Sequence, residues 1–103
     1  MQQALKILIA DDEAPARSRM RDLLGDIAHV EIVAEAKNGK EAIDLAETCK
    51  PDVMLLDIRM PVMDGIEAAQ HAQKLDYKPY IIFTTAFDAY AIKAFDLNAI
   101  DYL

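Results

Sequence analysis

A chain of 103 residues, 53% hydrophobic and 28% charged, has room for one packed domain and too little for two. Its formal net charge of −7 argues against a nucleic-acid-binding surface on this segment and suits a cation or a basic partner. No stretch approaches the ~20 apolar residues of a membrane span, and the opening MQQALKILIADDE has too short an apolar run for a signal peptide. Cys49, the only cysteine, cannot close an intramolecular disulfide, and the expected location is cytoplasmic with no membrane contact.

Leu5 to Ala10 (LKILIA) is short, aliphatic and closed at once by Asp11 and Asp12, the pattern of a strand buried on both faces of a parallel sheet. Ala16, Met20, Leu23, Leu24 and Ile27 then recur at spacings of three and four, which predicts a helix with that stripe turned inward. Val30 to Ala36 (VEIVAEA) alternates, as an edge strand with one wetter face does. Asn38 opens a second helix, with Glu41 placed to complete a capping box and Ala42, Leu45, Ala46 and Cys49 as its stripe. On that stripe Cys49 reads as buried packing.

Pro51 stands just before Val53 to Leu56 (VMLL), a third strand closed by Asp57. Asp64 is an N-cap for a third helix, with Glu67 three residues on and Ala68, Ala69, Ala72 and Leu75 along its stripe. Pro79 precedes Tyr80 to Phe83 (YIIF), a fourth strand. Asp88 can cap a fourth helix carrying Ala91, Ala94 and Phe95, and Ile100 to Leu103 begins a fifth strand. Strands alternating with helices in this way predict an α/β domain over residues 1–103, with an open, doubly wound parallel sheet.

Asp11 and Asp12 follow the first strand and Asp57 follows the third. Ligands of doubly wound sheets bind beyond the carboxyl ends of the strands, where the strand order reverses. In the order 2-1-3-4-5 the first and third strands are neighbours at that point, and the three carboxylates converge. One Asp after a strand is ordinarily a cap or a solvated loop residue; three converging acids repel one another and raise each other's pKa unless a cation lies among them. All-oxygen donors favour Mg²⁺ over zinc or copper, and a carboxylate beside such an ion can act as a nucleophile toward a phosphoryl group. His29 and His71 are isolated and read as surface residues.

ILIADDE (Ile7 to Glu13), VMLLDIRMPVMDG (Val53 to Gly65), IIFTTAF (Ile81 to Phe87) and AIDYL (Ala99 to Leu103) resemble, in order and spacing, the receiver domains of two-component response regulators. The resemblance runs the full length of the chain and implies a flavodoxin-like sheet. It implies that Asp57 is the phosphoacceptor. Asp12 would coordinate Mg²⁺ directly with Asp11 assisting, and Arg59 would offer its backbone carbonyl to the ion. Thr85 would contact a phosphoryl oxygen, with Thr84 the nearby competitor, while small Ala86 leaves access to the site. Tyr102 would be the aromatic that moves on phosphorylation. A sensor histidine kinase is the implied partner and phosphodonor.

Phe87 to Leu103 further resembles receivers joined to LytTR-type DNA-binding domains, the LytR/AlgR group, in which Tyr90 and Phe95 would line a dimer surface. DNA would be reached only through such an output domain, which is absent from this sequence. Family members carry a site lysine just after the fifth strand and then a fifth helix; neither Lys78 nor Lys93 stands at that place. The sequence therefore reads as a receiver truncated before the fifth helix, with an uncovered apolar sheet face that favours a homodimer, another oligomer or low stability. A Mg²⁺-dependent phosphatase with an Asp nucleophile wants a second acid two residues on, where this chain has Arg59. The competing reading is a phosphate-independent interaction or dimerisation module, which has no reason to bind Mg²⁺. Neither reading makes the chain an enzyme beyond slow autodephosphorylation.

Overall fold

Five parallel strands form a single sheet in the order β2-β1-β3-β4-β5. The computed structural model describes residues 4–84 with their side chains and the backbone of Asp101–Tyr102. In chain order the elements are β1 (Leu5–Ala10), α1 (Ala14–Gly25), β2 (Val30–Ala36), α2 (Gly39–Cys49), β3 (Val53–Leu56), α3 (Gly65–Ala72), β4 (Tyr80–Phe83) and β5 (Asp101–Tyr102). The first four strands begin and end where the apolar runs do, and the predicted strand order holds. The predicted fourth helix, from Asp88 through Phe95, lies outside the described residues.

Side chains of a strand alternate between faces, and the core divides accordingly. Leu8, Ala10, Met54, Leu56 and Phe83 point to one face and are buried beneath α2 and α3. Ala42 and Ala46 of α2 and Ala68, Ala69 and Ala72 of α3 line that contact, and such small residues let the helix axes lie close to the sheet. Ile7, Ile9, Val53 and Leu55 point to the other face, where Met20 and Leu24 of α1 pack on them. Each fully buried large aliphatic side chain contributes roughly 1.5–3 kcal/mol of transfer free energy, which places most of the cohesion in the first layer.

The stripe of α1 is narrower than its spacing predicts. Leu23 is 59% exposed, and Ile27 lies past the end of the helix and is 52% exposed. Of the predicted stripe, only Met20 and Leu24 pack on the cluster beneath the helix. Leu5 at the start of β1 is also exposed.

Helices α2 and α3 start as predicted. Asn38 Oδ1 accepts the Glu41 N–H at 2.9 Å, and Asp64 Oδ1 accepts the Glu67 N–H at 2.8 Å. The return bond of the first box is displaced by one residue, since Glu41 Oε1 accepts from the Lys37 N–H at 3.0 Å. Leu75 lies beyond the end of α3 yet packs against the core.

Cys49 departs from its predicted place in the core. It is half-buried, and its Sγ lies 3.9 Å from the Val33 carbonyl oxygen. The pairing of β1 with β2 shifts register between Ile7 and Leu8, whose partners are Ile32 and Ala34. Val33 is thus the extra residue of a β-bulge, and the thiol is a weak donor to its carbonyl. His29 and His71 are exposed, as predicted.

Candidate functional site: three carboxylates at the ends of β1 and β3

The register of β1 against β3 pairs Ala10 with Leu56, and the next backbone bond, Asp57 N–H to the Ala10 carbonyl at 2.9 Å, carries the ladder one residue past β3. Asp11 and Asp57 therefore leave adjacent strands at the same level. Oxygens of Asp11, Asp12 and Asp57 lie within 4.8 Å of one another, as the topology predicted. Asp12 is exposed, Asp11 half-buried and Asp57 only 8% exposed. Among the described residues no other charged or polar side chain is buried.

Burial is the main cause that pushes the Asp57 carboxyl up from 3.8 to about 6, with Asp11 and then Asp12 adding repulsion. Hydrogen bonds from the backbone N–H groups of Arg59 and Ile58 pull the other way and do not offset it. A charge held dry beside two like charges is the environment that a bound cation relieves. The donors are all oxygen, and among the described residues neither His nor Cys joins a group of this kind. The cluster thus fits a hard divalent ion such as Mg²⁺.

Asp11 is fixed from three directions. Its N–H donates to the Ala36 carbonyl of β2 at 3.0 Å, its Oδ1 accepts the Glu13 N–H at 2.9 Å, and its carbonyl accepts Arg17 Nη1 at 2.7 Å. The loop after Asp57 is fixed as well. Gly65 N–H donates to the Ile58 carbonyl at 2.8 Å, and Gly39 N–H donates to the Met63 carbonyl at 2.7 Å. A Cβ on Gly65 would collide with the Asp57 carbonyl oxygen, and one on Gly39 with the Met63 carbonyl, which is why glycine stands at both. Between these points the Met63 N–H closes on the Pro61 carbonyl at 2.7 Å, and Val62 at the apex has φ 69°, a left-handed conformation rarely adopted by a β-branched residue. Beside the carboxylates opens a cleft of about 420 Å³ lined by Asp12, Ile58, Arg59, Met60, Pro61 and Asp64.

The structure brings together the three predicted acids and places Arg59 on the wall of the cleft, its side chain outward. Thr85, Ala86, Tyr90, Phe95 and Lys93 lie outside the described residues, as does the side chain of Tyr102, whose backbone pairs with Phe83 in β5. Thr84 follows β4 and is half-buried, its N–H donating to the Leu56 carbonyl at 3.0 Å. Lys78 stands at the opposite end of the sheet, before β4, with Nζ donating to the Gln73 carbonyl, in keeping with its exclusion as the site lysine. Sequence reasoning passed over Arg17 and the strained turn at Val62. The six-residue spacing from Asp11 to Arg17 is a faint signal for the first, since it sets the arginine one turn into α1, above the end of β1.

A family model described as the response regulator receiver domain matches residues 7–103. The chain is 48% identical over 99 residues to the transcriptional regulatory protein BtsR of Salmonella typhimurium, covering 96% of this chain and 41% of that protein. It is 41% identical over 100 residues to the positive alginate biosynthesis regulatory protein of Pseudomonas aeruginosa, covering 96% of this chain and 40% of that protein. The chain thus spans about two-fifths of the length of these curated relatives. Among solved structures, the response regulator domain of Thermotoga maritima CheB superposes with a TM-score of 0.89 at 30% identity, covering 98% of this chain and 78% of that one.

Proposed function

The chain belongs to the response regulator receiver domain family, and from that premise we propose that it is a Mg²⁺-dependent phosphoacceptor switch in which Asp57 takes a phosphoryl group from a sensor histidine kinase. The observation that carries this reading is the buried Asp57, at the end of β3, with two further carboxylates within 4.8 Å of it.

In the transfer, an Asp57 carboxylate oxygen forms a bond to phosphorus as the P–N bond of the donor phosphohistidine breaks, and the imidazole leaves with the electron pair. Backbone N–H groups of Ile58 and Arg59 hold the carboxylate in place. Asp12, Asp11 and Asp57, with the Arg59 carbonyl, would hold the ion. When bound, Mg²⁺ supplies the positive charge that neutralises these acids and the oxygens of the phosphoryl group. Thr85 takes a phosphoryl oxygen, and Thr85 and Tyr102 relay the modified state to an output surface.

The output is a LytTR-type DNA-binding domain that regulates transcription in the cytoplasm, with the receiver assembling as a homodimer or another oligomer. The name of the BtsR relative supports a role in transcription, and the resemblance of Phe87 to Leu103 to the LytR/AlgR group supports the LytTR-type output. The chain acts as a signalling phosphoacceptor with slow autodephosphorylation, not as a turnover enzyme. Among the described residues no helix is long and apolar enough to cross a membrane.

Intact-mass spectrometry after incubation with Mg²⁺ and a small acyl-phosphate donor tests the reading. One added phosphoryl group, lost in Asp57→Ala, is expected. An unmodified wild-type chain that also ignores Mg²⁺ would instead support a phosphate-independent interaction module.

A further inference from the structure

The side chain of Arg17 is only 16% exposed and reaches two places at once. Its Nη1 donates to the Asp11 carbonyl at 2.7 Å, and its Nε lies 3.6 Å from Glu35 Oε1. Glu35 sits on β2 directly opposite Ile9, two residues before Asp11. Its second oxygen accepts Arg21 Nη1 at 2.7 Å, one turn further along α1. Two arginines of α1 thus share one carboxylate, but only Arg17 continues to the backbone of the acidic cluster. With the Asp11 N–H already bound to Ala36 and its Oδ1 to Glu13, the guanidinium is the third restraint on that residue.

We propose that Arg17 is a positioning residue for the cation: by bridging Glu35 to the Asp11 carbonyl it sets the Asp11 carboxylate toward Asp12 and Asp57 and so strengthens divalent-ion binding. The proposal rests on the Mg²⁺ reading above. Groups that orient a ligand from behind commonly carry a tenfold or larger share of metal affinity, about 10–100-fold on removal. Arginine suits the task because its planar fork presents donors in two directions while its charge stays paired.

The sign of the effect separates positioning from simple electrostatics. A cation near an acidic site repels Mg²⁺, so deleting a positive charge tightens metal binding on Coulombic grounds alone. Loss of positioning acts in the opposite direction. Arg21 is the internal control, because it pins α1 to the same glutamate and does not touch Asp11.

Mg²⁺ binding is measured by isothermal titration calorimetry on the unphosphorylated chain, with thermal melts by circular dichroism alongside. Arg17→Ala is expected to bind Mg²⁺ about tenfold more weakly than wild type, while Arg21→Ala binds no more weakly. Arg17→Lys, which keeps a charge and one donor, falls between wild type and Arg17→Ala. Unchanged or tighter binding by Arg17→Ala overturns the proposal, as does equal weakening by Arg21→Ala, which would make the pair a plain helix staple. Should Arg17→Ala fail to fold, Arg17→Met, which keeps the apolar stem and removes the charge and donors, takes its place; about tenfold weaker Mg²⁺ binding is expected, and unchanged or tighter binding overturns the idea. Failure of the wild-type chain to bind Mg²⁺ would sink the underlying functional reading instead.

Discussion

Two aspartates flank the four residues of β3, and the fold uses them in opposite ways. Asp52, just before the strand, is exposed, and its Oδ2 accepts the Lys6 N–H at 2.9 Å. Its own N–H donates to the Lys6 carbonyl at 2.8 Å, and its carbonyl accepts the Tyr80 N–H at 2.9 Å. That acid ties three neighbouring strands at their amino ends and is satisfied there. Asp57, just after the strand, is buried beside two other acids, with its pKa lifted to about 6 by burial and their repulsion. At the amino end of the sheet carboxylate chemistry is consumed in holding the fold, whereas at the carboxyl end it is held in reserve, at a cost in stability.

The sharpest way to break this contrast is to exchange the acids one at a time. Asp57→Asn should abolish the phosphoryl adduct in intact-mass spectra, whereas Asp52→Asn should leave its yield within about twofold of wild type. Gly65→Ala comes next. Its Cβ would press into the Asp57 carbonyl, so the loop must shift, and a loss of about 3 kcal/mol in chemical denaturation is expected along with weaker phosphorylation.

The pH dependence sharpens the comparison further. Asp57 ionises near 3.8 in the unfolded chain and near 6 in the folded one. Below about pH 4 the group is neutral in both states and costs nothing. As pH rises from about 4 to 6 the unfolded state loses its proton first, so stability falls, and it stays lower above 6. Stability of wild type relative to Asp57→Asn should therefore drop by about 2 kcal/mol between pH 4 and pH 7, after allowance for solvent screening at the rim of the site. Saturating Mg²⁺ should restore it at neutral pH. A flat difference would show that the reserve of charge is not stored at Asp57.

Asp52→Ala should cost about 1 kcal/mol, the net worth of a backbone–carboxylate hydrogen bond, with Mg²⁺ affinity unchanged. The smallest effect is expected at Val62. Asn tolerates the left-handed backbone that Val62 adopts at φ 69°, so Val62→Asn should gain about 0.5–1 kcal/mol, read as a raised denaturation midpoint.

Most of the architecture was legible because one property dominated each element. VMLL is buried throughout, and LKILIA and YIIF are mostly buried apart from their first residues, so these runs needed no periodicity to read; Asn38 and Asp64 cap helices through local hydrogen bonds that sequence spacing encodes. The convergence of Asp11, Asp12 and Asp57 followed from topology. What escaped depends on packing angles and strain. The stripe of α1 contained Leu23 and Ile27, and nothing in the spacing shows that the helix ends at Gly25 and leaves both exposed. Cys49 lay on an apolar stripe, but its thiol lies against the carbonyl of the bulged Val33, and no residue type announces the bulge. Val62 is a strand former by propensity, yet it is forced into a three-residue turn by the glycines and carbonyls on either side.

The pairing of Ala10 with Leu56 has a consequence for how the chain tolerates changes in length. The separation of Asp11 from Asp57 is counted out along two backbones that share an alignment, much as two scales laid edge to edge share a zero mark. Residues added to the turns at the amino end of the sheet, between α1 and β2 or between α3 and β4, leave that count untouched. One residue inserted within β1 or β3 moves a carboxylate a full step and turns it to the opposite face. The active geometry is written in residue number, and a single deletion inside four residues erases what many substitutions around them would leave intact.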